Sequence, residues 1–88
     1  MIEVQICQNR LITKFDTISD SAKFDTVKFM FPESWNGFQK TAVFKGVDNQ
    51  IFNVVLNSDN NLCIGENECY IPHEVLKAPS FKLSVFGV

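Results

Sequence analysis

Eighty-eight residues make one domain with a modest core, able to bury roughly 60–65% of the surface its unfolded chain would expose, and leave no room for a second. An apolar content of 45% against 20% charged residues argues against disorder. Eight basic and ten acidic groups are scattered along the chain for a net charge of −2, so no basic stripe suggests a nucleic-acid groove, and no apolar run approaches the ~20 residues of a membrane-spanning helix.

The first residues, MIEVQIC, alternate Ile2, Val4 and Ile6 with Glu3 and Gln5, the period of a half-buried strand. They lack the basic start and long apolar stretch of a signal peptide, so synthesis in the cytoplasm is expected. Gln8-Asn9-Arg10 supplies turn chemistry, Leu11-Ile12-Thr13 reads as a short second strand, and the Asp-, Thr- and Ser-rich residues 16–21 read as a loop. Residues 24–31 form the next strand, with Val27, Phe29 and Phe31 on one face, Thr26 and Lys28 on the other, and Met30 breaking the pattern. Pro32 ends it, because proline cannot donate to a ladder, and Asn36-Gly37 is the strongest turn pair of the chain.

Residues 39–45 and 51–57 read as a hairpin around a Gly46-Val47-Asp48-Asn49 loop, with Phe52, Val54 and Leu56 on one face of its second arm. Residues 58–61 are turn formers, 62–64 a short strand, 65–68 a turn and 69–71 another short extended piece. Residues 72–77 have the only helical character, a single short turn begun by Pro72 and complemented by Glu74. Phe81, Leu83 and Val85 then alternate with Lys82 and Ser84 in the last strand. Short strands at this spacing predict an all-β fold, a sandwich or small barrel, with an immunoglobulin-like antiparallel β-sandwich over residues 1–88 the favoured form. Trp35 and Phe44 are its expected core anchors, although Trp35, beside Pro32 and the Asn36-Gly37 turn, is also a candidate exposed aromatic. Phe38 and Tyr70 are expected in the core.

No catalytic, cofactor-binding or metal-ligating residue is assigned. Cys7, Cys63 and Cys69 cannot all pair within one chain, so reduced, mostly packed thiols are expected. Cys63, Cys69 and His73 lack the tight Cys-x2-4-Cys knuckle of structural zinc sites. His73-Glu74 begins like a zincin helix, but His73 is the sole histidine and the second ligand does not exist. A Cys-His nucleophilic pair has no marked orienting group, Glu66 and Glu68 lie in a polar turn, and the four glycines are isolated rather than gathered in a phosphate loop.

Two stretches, DTVKFMFPESWNGFQKTAVFKG (residues 25–46) and CYIPHEVLKAPSFKLSVFGV (residues 69–88), resemble the N-terminal domain of tail and baseplate proteins of phages and prophages of Gram-positive bacteria, the baseplate upper proteins and their relatives. The resemblance spans residues 1–88 and is clearest over 25–45 and 69–87. The shared positions Phe29, Pro32, Trp35, Phe44, Ile71, Pro72, Leu76 and Val85 look like scaffold, so no functional residue is carried over. It implies a non-enzymatic module of a longer protein, made in the bacterial cytoplasm and built into the virion. The implied partners are other tail or baseplate proteins in a homo-oligomer, with neither nucleic acid nor membrane and no cofactor. In such proteins a further strand follows the SVFG strand. The expectation is therefore an unfilled sheet edge at residues 81–88, with Phe81, Leu83, Val85 and Val88 as the candidate interaction edge. The alternative function is a small carbohydrate-binding module in host recognition, for which Trp35, Phe38 and Tyr70 could form an exposed sugar-stacking platform.

Overall fold

The computed structural model describes residues 2–7, 15–19, 25–46, 50–59, 61–77 and 80–88. Its strands are β1 (Ile2–Gln5), β2 (Asp16–Ser19), β3 (Thr26–Met30), β4 (Lys40–Lys45), β5 (Ile51–Val55), β6 (Cys63–Gly65), β7 (Glu68–Tyr70) and β8 (Ser80–Gly87). Among the described residues there are also two 3-10 turns, Glu33–Trp35 and His73–Lys77, the second at the place expected for the helical turn. The fold is all-β, with two four-stranded sheets ordered β1-β3-β7-β6 and β2-β8-β4-β5. All pairs are antiparallel except β1 with β3, which run parallel because the chain crosses to the other sheet as β2 between them.

Period-two patterning places the core between the sheets. Val27 and Phe29 of β3, with Cys69 of β7, point inward from the first sheet, and Ala42, Phe44, Val54, Phe81, Leu83 and Val85 from the second. Met30 obeys the alternation after all: it lies on the outer face with Lys28, exposed.

Trp35 is 0% exposed, so its role as a candidate exposed aromatic is corrected. The 3-10 turn after Pro32 carries the indole inward, onto Phe31 with ring centroids 5.0 Å apart. Phe31 in turn stacks on Phe29 at 5.8 Å, and Lys40 Nζ sits 5.3 Å from its ring centre. Gly37 completes the reversal with φ of +82°, a conformation that costs glycine little.

The residues read as a loop at 16–19 form β2, whose register pairs Asp16 with Leu83 and Ser19 with Ser80. Only Ile18 of these four is apolar and packs on the core, so the strand owes its existence to its neighbour rather than to its own pattern. This overturns the candidate edge at residues 81–88. β8 lies between β2 and β4, and Phe81, Leu83 and Val85 are buried core. Val88 is exposed at its side chain, yet its backbone exchanges hydrogen bonds of 2.9 and 3.0 Å with Gln39. β2 occupies the flank of β8 where the missing strand was expected. Leu11-Ile12-Thr13 lies outside the described residues.

Candidate functional site

Each four-stranded sheet has two edges: β1 and β6 in one, β2 and β5 in the other. The β4–β5 register decides which groups of β5 face outward. Leu56 N–H donates to Lys40 C=O at 2.8 Å, and Gly46 N–H to Gln50 C=O at 2.9 Å. With Phe44 opposite Phe52 and Ala42 opposite Val54, the hydrogen-bonded positions are the even-numbered ones, so Phe52 and Val54 direct their backbone groups toward β4. Ile51, Asn53 and Val55 direct theirs away from it. The Val55 carbonyl already accepts from Ser58 Oγ at 2.8 Å and from Cys63 Sγ at 3.1 Å. The backbone donors and acceptors of Ile51 and Asn53 therefore form the open part of this edge.

Beside the edge runs a groove of about 540 Å³, bounded by residues 51–54 together with Leu62, Pro72, His73 and Glu74. Pro72 is buried, whereas His73 and Glu74 are exposed on its rim where the second 3-10 turn begins. The wall is mostly apolar, and Ile51 is 57% exposed on it.

The end of the groove strand is fixed by a pair of asparagines. Asn57, just after β5, and Asn67, in the β6–β7 turn, both take the left-handed conformation at φ of +57°. Asn57 Nδ2 donates to Asn67 Oδ1, and Asn67 N–H donates to Asn57 Oδ1, both at 2.8 Å. Asn67 C=O also accepts from Phe29 N–H at 2.8 Å, so the clamp ties the end of β5 in one sheet to β3 and the β6–β7 turn of the other.

The sulfur and imidazole groups do not converge on a reaction site. Cys63 and Cys69 are direct cross-strand partners, and the 2.7 Å bond from Tyr70 N–H to Leu62 C=O makes theirs the non-hydrogen-bonded position. Both are free thiols. Cys69 is fully buried, and its pKa is pushed up from 9.0 to about 12, first by burial and then by the neighbouring Cys63 and Glu68. It is therefore a protonated, packed thiol at neutral pH, while His73 stands exposed on the groove rim. Cys7 is exposed, the exception among the mostly packed thiols expected. Among the described residues, no three His, Cys, Asp or Glu side chains gather to hold a metal ion.

Two aromatics expected in the core are exposed instead, Phe38 by 41% and Tyr70 by 46%. They belong to different sheets, Phe38 leading into β4 and Tyr70 ending β7. The groove is hidden at the level of sequence because nothing in Ile51-Phe52-Asn53-Val54-Val55 tells an edge strand from a central one. Its lack of charge was the available signal.

Among the described residues, no helix is long and apolar enough to cross a membrane. No known family model matches the chain, and neither the curated proteins nor the solved structures provide a match.

Proposed function

We propose that this chain is a non-enzymatic structural and interaction module that acts through protein–protein contact, in the tail or baseplate of a phage or prophage. The observation that carries the contact role is the uncharged, outward-facing edge of β5 beside an apolar groove. Open strand edges recruit other strands through main-chain hydrogen bonds, with adjacent pockets selecting side chains. The tail setting is supported by the resemblance of residues 25–45 and 69–87 to baseplate upper proteins. The carbohydrate-binding alternative loses Trp35 from its platform, since the indole is enclosed by Phe31 and the rest of the core, and its two exposed rings, Phe38 and Tyr70, belong to different sheets.

The test is recovery of the chain in purified tail particles, by mass spectrometry and immunoblot, for the wild type and for Asn53→Lys. Asn53 is exposed and its backbone groups face away from β4, so a lysine there charges the edge without entering the core. Wild-type chain in the particles and loss of the variant are expected. Particles that lack the wild-type chain refute the tail assignment, and normal incorporation of the variant refutes the edge as contact surface.

A further inference from the structure

We infer that the occupant of the β5 edge is a second copy of this chain, joined by antiparallel pairing of the two β5 strands about a two-fold axis at Phe52. This rests on the reading of that edge as the contact surface. The first argument is hydrogen-bond complementarity. Each copy offers four open main-chain groups, the N–H and C=O of Ile51 and of Asn53. A two-fold axis at Phe52 sets Ile51 of each copy opposite Asn53 of the other, where the two exchange both of their hydrogen bonds. Every open group is then paired. An axis one residue later, at Asn53, would instead set Ile51 against Val55, whose carbonyl already accepts from Ser58 Oγ and Cys63 Sγ.

The second argument is charge. A strand that pairs with itself about a two-fold axis brings each charge near the axis close to its own copy, directly opposite or diagonally across, so charge on it is repelled. Of the four sheet edges, β5 alone combines length with neutrality. Its five residues, IFNVV, include no ionisable group and no proline. β1 presents exposed Glu3, β2 begins with Asp16, and β6 is a three-residue strand with a register shift beside Glu66. Charge, shortness and irregularity are the usual means of keeping edges from pairing, and β5 has none of them. The third argument is the apolar surface at the same place. Exposed Ile51 and half-buried Phe52 both line the groove that runs beside this edge. The product is one continuous eight-stranded sheet, ordered β2-β8-β4-β5 and then the same strands in reverse.

Sedimentation equilibrium of the purified chain from about 1 µM to about 1 mM tests this, with circular dichroism verifying that each variant keeps its strands. The wild type should dimerise as concentration rises. Asn53→Lys and Ile51→Glu should each weaken the dimer by roughly tenfold or more, because charge placed on an edge opposes self-pairing. The double variant should regain it, since the carboxylate introduced at position 51 of each copy then faces the ammonium introduced at position 53 of the other. A wild type that stays monomeric throughout, single variants that dimerise as the wild type does, or a double variant no better than the singles would each overturn the inference. A monomeric chain that still enters tail particles, and fails to do so as Asn53→Lys, overturns the second copy while leaving the contact surface intact.

Discussion

Replacing Trp35 by alanine separates a core role from a binding role for the chain's single tryptophan. Its side chain is 0% exposed and lies on Phe31 at 5.0 Å. Removing a buried tryptophan costs about 3–5 kcal/mol in lost transfer energy and residual cavity. Loss of the tilted ring pair adds about 0.5–1.5 kcal/mol. A domain of this length has roughly 4–13 kcal/mol of total stability, so Trp35→Ala removes about a quarter of it or more. With a urea dependence of about 1–3 kcal/mol per molar, the midpoint should fall by roughly 2 M. Far-UV circular dichroism is the suitable signal, because the substitution deletes the tryptophan fluorescence. Trp35→Phe keeps a ring against Phe31 and should lose only about 1–2 kcal/mol, which provides a folded comparison if the alanine variant is too unstable to measure. A midpoint shift below about 0.5 M for Trp35→Ala, with unchanged slope, would refute the buried packing of the indole and make it a ligand-stacking ring again.

The thiol of Cys69 makes stability depend on alkaline pH. Its folded pKa is raised, so the unfolded state releases the proton first; stability is complete below about 9 and declines as pH rises toward about 12. One pH unit above the unfolded value this amounts to about 1.4 kcal/mol. The difference in unfolding free energy between wild type and Cys69→Ala, measured by urea titration followed by Trp35 fluorescence, should therefore shrink by about that amount from pH 8 to pH 10. A difference that stays constant contradicts a raised pKa. In the asparagine clamp, Asn57→Ala loses both side-chain hydrogen bonds and puts a Cβ-bearing residue without a local partner at φ of +57°, for about 1–3 kcal/mol in total. Asn57→Gly relieves the backbone strain and loses only the bonds, so its thermal midpoint should fall between those of the alanine variant and the wild type. Equal midpoints for glycine variant and wild type would mean that the clamp adds nothing.

Much of the fold could be read from local pattern. β3 and most of β8 alternate inward apolar with outward residues, and Pro32 and Asn36-Gly37 end or turn the chain where the structure does. β2 could not be read this way. Asp-Thr-Ile-Ser has a single apolar residue, and what makes it a strand is a ladder with residues far away in sequence. The same gap misplaced the interaction edge: alternation in residues 81–87 identifies a strand but is silent on how many neighbours it has. Trp35 was ambiguous for a related reason. Proline and Asn-Gly mark a surface connection, and only the tight 3-10 turn between them sends the indole inward. The β5 edge was half visible, since its neutrality is a property of sequence and its position at the margin a property of topology.

The place of β8 also orders events in time. It follows all the other described strands in sequence and holds an interior position, so β2 and β4 both depend on residues synthesised after them. The β4–β5 hairpin is local and can form early, but β2 has no ladder until β8 arrives. Topologies dominated by such distant pairings fold in milliseconds to seconds rather than microseconds. During that interval the half-built sheet shows an unmatched β4 on one side and the neutral β5 on the other. Refolding yield should therefore fall with protein concentration, and charging β5 should protect the nascent chain even where it abolishes assembly.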